Sequence, residues 1–158
     1  MGMISRIITG VAGIGIVSAG AFALDQTTRD DSGAIIQEGD LGVFSFKIGD
    51  CINDLGEGSS VEKARGVPCS EPHEAEVYAE TFISDSSERR PVNFNDNADE
   101  YCFAQFQRFV GISYDSSKLD ATYLTPSDES WLEGDREITC LIFDPKGLVT
   151  GSLQGTQR

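Results

Sequence analysis

The chain has 158 residues, 39% of them hydrophobic, which suffices for one domain of ordinary size with a core of its own. Acids outnumber bases 26 to 12, a formal charge of −14, so binding to nucleic acid or to anionic lipid headgroups is disfavoured. The apolar content also excludes disorder along the whole length.

Residues 1–24 form the first unit. Arg6 is the only basic residue before an uncharged run from Ile7 to Leu24, and Asp25 is the first acid after it. A basic start, an apolar stretch and the small-residue pattern Ala21-Phe22-Ala23 predict an export signal cut after Ala23, or a single membrane anchor if the segment is kept. Either fate puts the remainder outside the inner membrane, which residues 7–24 would contact only if uncleaved. The expected location is therefore the cell membrane, single-pass with the domain outside, or the secreted fraction. Residues 25–40 are polar with little periodicity and read as a linker, followed by a domain over 41–155.

Val43, Phe44, Phe46 and Ile48 suggest a first strand ending at the Gly49-Asp50 turn. Asp54 to Arg65 is rich in Gly, Ser and charge and reads as a loop. Pro68 and Pro72 stiffen the stretch around Cys69 and His73 against helix. Glu74 to Ile83 alternates. It predicts a strand with Ala75, Val77, Ala79 and Thr81 on one face and a solvated face of Glu74, Glu76, Tyr78, Glu80 and Phe82. A helix follows, capped by Asn95 or Asp96, with an apolar stripe of Ala98, Cys102, Phe106 and Phe109 flanked by Phe103 and Val110, and a stop at Gly111. Ala121–Leu124 reads as a short strand, Pro126–Leu132 as a turn or single helical turn around Trp131, and Glu137–Phe143 as a strand. Asp144-Pro145-Lys146-Gly147 predicts a turn, Leu148–Leu153 a returning strand, and the last five residues a frayed end. One helix and about five strands make an α+β domain, a small antiparallel sheet with the helix packed on it.

Cys51, Cys69, Cys102 and Cys140 are even in number and lack the paired short spacing of a zinc site. In an exported chain they read as two disulfides, with three connectivities open. Cys51–Cys69 with Cys102–Cys140 is the favoured pairing, clipping a polar loop and tying the helix to a strand, each bond contributing about 3 to 4 kcal/mol in the loop-entropy account.

Chemistry is sparse. The one histidine, His73, stands beside Glu71, Glu74 and Glu76, and reads as a surface side chain bonded to a turn, with a weak divalent-ion site as the sharper alternative. No nucleophile elbow is present, and Ser113–Lys118 lacks the partner motifs of penicillin-interacting enzymes. Asn93, Asn95 and Asn97 match the start of a calcium loop, but Ala98 and Ala104 occupy positions that need Gly and Glu. No catalytic residue, metal or cofactor is expected. Abundant carboxylates leave one alternative, an enzyme or inhibitor acting on wall polymer through surface carboxylates, the enzyme needing a pair of acids, one with a raised pKa.

Four stretches carry a family resemblance: Val43–Leu55 with Gly-Asp-Cys, Val67–Ala79 (VPCSEPHEAEVYA), Cys102–Gly111 (CFAQFQRFVG) and Trp131–Leu141 (WLEGDREITCL). Together they resemble the septum formation-related domain of bacterial envelope proteins, over about residues 40 to 155. The resemblance implies a membrane-anchored or secreted module without catalytic residues, linked to cell division, whose partner is a protein of the envelope or division machinery. Among the shared residues His73 and Arg136 are the candidates for interaction. Arg136 is otherwise expected to pair with an acid such as Asp50 or Asp135.

The two fates predict different fractions. A kept anchor leaves the domain on spheroplasts of the native host, where added protease is expected to digest it while a cytosolic marker survives; a cleaved signal leaves it in the supernatant. Recovery of the domain with the cytosolic marker would place it inside.

Overall fold

The computed structural model describes residues 24–56, 61–84 and 88–158. The expected signal or anchor over 1–24 thus lies, but for Leu24, outside the described residues. Among the described residues no helix is long and apolar enough to cross a membrane.

In chain order the elements are β1 (Thr28–Arg29), β2 (Ile35–Gln37), β3 (Gly39–Gly42), β4 (Cys51–Asn53), β5 (Lys63–Val67), β6 (Ala75–Phe82), α1 (Phe94–Val110), β7 (Asp120–Leu124), α2 (Asp128–Leu132) and β8 (Glu137–Phe143). β1 and β2 pair with each other, and the other strands form a six-stranded sheet in the order β3-β5-β4-β6-β8-β7. All neighbours within it are antiparallel. The α+β architecture with one main helix and two disulfides agrees with the sequence expectation.

The polar stretch 25–40 is not a linker. Its polar side chains build turns: the Asp30 carboxylate accepts the backbone N–H groups of Ser32 and Ala34, closing the β1–β2 connection at Gly33. Ile35 and Leu41 enter a core with Phe46, Ile52, Ala64, Val77 and Leu141. Gly39 is required by close approach, because a Cβ there would lie 2.3 Å from the Gln26 carbonyl oxygen. The segment also supplies the counterion of Asp50. Arg29 grips the buried Asp50 carboxylate with two bonds of 2.6 and 2.9 Å and bonds Asp25 through Nε at 2.9 Å. The Lys47 N–H donates to Asp50 as well. These two partners hold the Arg29 guanidinium firmly in its charged form. Asp50 therefore pairs with Arg29 and not with Arg136.

Val43–Ser45 is a single 3-10 turn and not a strand. Its apolar residues do not share a face: Phe46 is buried, whereas Ile48 is 55% exposed. Part of the expected loop before Arg65 is strand β5.

β6 is covered on both faces over most of its length. Ala75 and Val77 lie in the first core, while Tyr78 and Ala79 lie in a second core under α1. A bulge causes the change: Val77 pairs with Leu141 and Ala79 with Cys140, leaving Tyr78 as an extra residue that reverses side-chain parity. The Tyr78 hydroxyl donates to the Cys102 carbonyl at 2.9 Å inside that core. The solvated face expected for β6 is thus wrong at Glu76 and Tyr78, which are 1% and 3% exposed.

α1 buries Phe94, Ala98, Cys102, Phe106, Phe109 and Val110 and ends at Gly111, whose φ of 92° only glycine adopts readily. Its first residue follows Asn93, slightly before the expected cap. Phe103 stays 43% exposed and packs edge-on against Tyr114. Cys51 is bonded to Cys69 and Cys102 to Cys140, the favoured pairing.

After the turn at Asp144–Gly147 the chain does not return as a strand. It crosses to His73, where only Val149 makes a bridge, and it buries Val149 and Leu153. The terminus is tied rather than frayed: the N–H groups of Gly155 and Gln157 donate to the Phe109 and Val110 carbonyls, capping α1. Arg158 pairs with Asp144 at 2.7 Å.

Arg29→Ala leaves the Asp50 charge buried with one backbone donor. It is expected to cost about 3 kcal/mol in urea unfolding, because an uncompensated buried charge is worth that much. A loss below about 0.5 kcal/mol, the range of ordinary surface changes, would show that the pair does not anchor the N-terminal strands.

Candidate functional site

The residues singled out by type are spent on the fold. His73 is fully buried. Its Nδ1 lies 2.9 Å from the Glu71 carbonyl and must carry the proton to donate there, so the expected bond to a turn is present but the expected exposure is not. Its backbone exchanges two hydrogen bonds with Val149. Nε2 has no partner.

Arg136 lies over the Trp131 ring, its guanidinium carbon 3.6 Å from the ring centre. It donates to the Trp131 and Asp135 carbonyls at 2.8 and 2.6 Å. Trp131 itself is core and packs edge-on against Phe94. Arg136 thus meets Asp135 through its backbone carbonyl and joins α2 to the start of β8.

Next to His73 sits Glu76, opposite Cys51 in the β4–β6 register. The Ser152 hydroxyl and the Leu153 N–H each donate to its carboxylate at 2.6 Å. Burial nevertheless pushes its pKa up, against the pull of these two donors and of His73. Cys51, Cys69 and Glu76 are the one group of possible metal ligands close enough together among the described residues. Their sulfurs are bonded to each other, so they offer no thiolate, and the group does not suit a metal.

A different place is partly open to solvent, at Phe82 and Thr122. Beyond the bulge, Glu80 and Phe82 of β6 share a face with Glu137 and Thr139 of β8 and Leu124 and Thr122 of β7. Phe82 stands directly opposite Glu137 and is 67% exposed. Glu137 is half-buried and accepts a bond from the Thr139 hydroxyl. Burial, with Glu80 and Asp135 adding repulsion, pushes its pKa up to about 7. The Glu80 carboxyl is raised too, first by burial and then by Asp50, with Lys47 opposing. This end of the sheet holds an aromatic side chain beside two carboxyls whose pKa values are raised. Such a surface suits a partner that brings positive charge and apolar area together. Sequence reading missed it because acids are so numerous; only the register across β6 and β8 singles out two of them.

The sequence profile of a family described as septum formation matches residues 48–157. No curated protein and no solved structure matches the chain. The matched region contains all four cysteines, Asp50, His73 and the Glu80–Phe82–Glu137 surface, while Arg29 precedes it.

Glu137 binds its proton more tightly folded than unfolded, so the native state holds more protons between about pH 4.5 and pH 7 and stability falls as pH rises through that window. Glu137→Gln removes the cost. The variant is expected to be about 1 kcal/mol more stable than wild type at about pH 8, the value being reduced by solvent screening, and equal to it near pH 4. Urea unfolding at both pH values checks this, and a variant weaker at the higher pH contradicts it.

Proposed function

The chain belongs to the septum formation family, and from that premise we propose that it is a non-catalytic, extracytoplasmic module whose Glu80–Phe82–Glu137 surface docks a protein partner in the envelope or division machinery. The observation that carries this reading is the exposed Phe82, opposite Glu137 and two residues along from Glu80, both carboxyls with raised pKa values. Support for the compartment comes from the cysteines, all paired, since such bonds persist in oxidising surroundings. Support for a non-catalytic role comes from His73, Arg136 and the cysteines, which are engaged in internal contacts and leave no nucleophile with an adjacent base among them.

One observation favours a second reading, action on wall polymer: Glu137 has the raised pKa of a general acid and Glu80 lies diagonally across from it. The two stand on a sheet face. A glycoside hydrolase would need them to flank a bound sugar.

A photo-crosslinking side chain at Phe82 is expected to yield a discrete protein adduct in living cells, and the same probe at Asn97, exposed on α1, none. Phe82→Glu is expected to lower capture of that adduct's partner at least tenfold, with unfolding free energy within about 0.5 kcal/mol of wild type, the range for surface changes. Identical adducts from both positions would exclude this surface. Clearing of cell-wall suspensions by the purified domain, abolished in Glu137→Gln, would establish the second reading instead.

A further inference from the structure

The two disulfides differ in their surroundings. Cys102 and Cys140 are 3% and 0% exposed, pinned between the inner side of α1 and the middle of β8. An external thiolate has no route to either sulfur without unfolding. Cys51 is equally buried, but Cys69 is half-buried, in a turn whose neighbours Ser70, Glu71 and Pro72 are exposed. The asymmetry defines a direction: solvent reaches Cys69, and Cys51 faces the interior.

A buried acid stands on the interior side. A carboxylate oxygen of Glu76 and the sulfurs of Cys51 and Cys69 all lie within 4.8 Å of one another. Glu76 and Cys51 are opposed in the sheet register, so strand pairing holds them together. The groups that face Glu76 are His73, the Ser152 hydroxyl and the Leu153 N–H. His73 is buried beside it with Nε2 unpartnered. A structural crosslink needs none of this. The carboxyl satisfies the Ser152 hydroxyl and the Leu153 N–H, and it also brings an ionisable group to the disulfide. A proton held near the inner sulfur has a chemical use, because exchange is faster when the leaving sulfur departs more easily.

We propose that Cys51–Cys69 is an exchangeable disulfide, attacked at Cys69 by an external thiolate, with Glu76 giving its proton to the departing Cys51 sulfur. The attacking sulfur contributes the electron pair of a new bond to Cys69 Sγ. The Cys51–Cys69 bond breaks with its pair on Cys51 Sγ, which takes the Glu76 proton and leaves a carboxylate. A second thiolate then attacks the external sulfur of the mixed disulfide and frees Cys69 as a thiolate, which takes a proton from water, as does the Glu76 carboxylate. Two thiols are oxidised to one disulfide, and the protein gains two electrons and two thiols. The consequence is local. The Cys69 carbonyl accepts the Gly151 N–H at 2.6 Å, while His73 and Glu76 hold Val149, Ser152 and Leu153. Reduction therefore loosens the C-terminal crossing and leaves the Cys102–Cys140 core closed.

The test uses the folded, oxidised chain with reduced glutathione, quenching with maleimide over time and locating the label by peptide mass spectrometry. Cys51 and Cys69 are expected to be labelled at least tenfold faster than Cys102 and Cys140, with the near-ultraviolet dichroism of Trp131 retained. Divided by the glutathione thiolate concentration, the rate is expected to fall as pH rises and Glu76 loses its proton. Glu76→Gln is expected to slow it about tenfold and flatten that dependence, and Glu76→Asp to restore part of it, as loss of a general acid would. Equal labelling of all four cysteines, labelling only in denaturant, or a flat normalised profile in wild type would overturn the proposal. The wild-type profile decides even if Glu76→Gln fails to fold.

Discussion

β6 is the constraint on which the other elements depend. It pairs with β4 on one side and β8 on the other, and the bulge at Tyr78 lets one strand serve two cores. Before the bulge, Ala75 and Val77 face the core shared with the N-terminal strands, and Glu76 is forced inward beside Cys51. After it, Ala79 faces α1, and Glu80 and Phe82 turn to the opposite side. Without the extra residue, Glu80 would point under α1, and a buried unpaired carboxylate there would cost several kcal/mol. The bulge thus settles both which acid is buried with partners and which acids meet solvent.

The covalent and ionic ties differ in what they join. Cys102–Cys140 joins α1 to β8, both rich in core side chains. Cys51–Cys69 and the Arg29–Asp50 pair both act at the start of β4, a strand of three residues that pairing alone would hold weakly. The family match begins at residue 48, so Asp50 falls inside it and Arg29 outside. The boundary of sequence similarity is therefore not the boundary of the folded unit. A charge inside the matched region depends on a residue upstream of it.

These ties bear on function through what they use up. His73 and Arg136 draw attention by residue type, yet each satisfies backbone carbonyls or covers an aromatic ring. In the proposed role, a body held in this way meets its partner through its surface. The surface with the most to offer is the end of β6 and β8, where exposed apolar area and poised carboxyls coincide. An interface there would respond to pH, since a basic partner would favour the ionised form of Glu137.

Local signals were legible wherever one element contains its own pattern. The stripe from Ala98 to Phe109 and the stop at Gly111 specified α1. The β-rich run around Cys140 specified β8, and the prolines flanking Cys69 specified the turn. The even cysteines in an apolar-led chain pointed to disulfides, and the shared motifs pointed to the family. What the sequence could not reveal depends on partners distant along the chain. Strands of two to four residues at 28–42 show no period, so their polar turn residues resembled a linker. Strict alternation in Glu74–Ile83 concealed a bulge that becomes definite only against β8. The burial of His73 follows from a crossing more than seventy residues later, and the importance of Glu76, Glu80 and Glu137 from which strands lie beside β6. Composition and periodicity determine what a segment prefers by itself; only tertiary structure decides which side chains are neighbours, and a carboxyl's proton affinity is set by its neighbours and its distance from water.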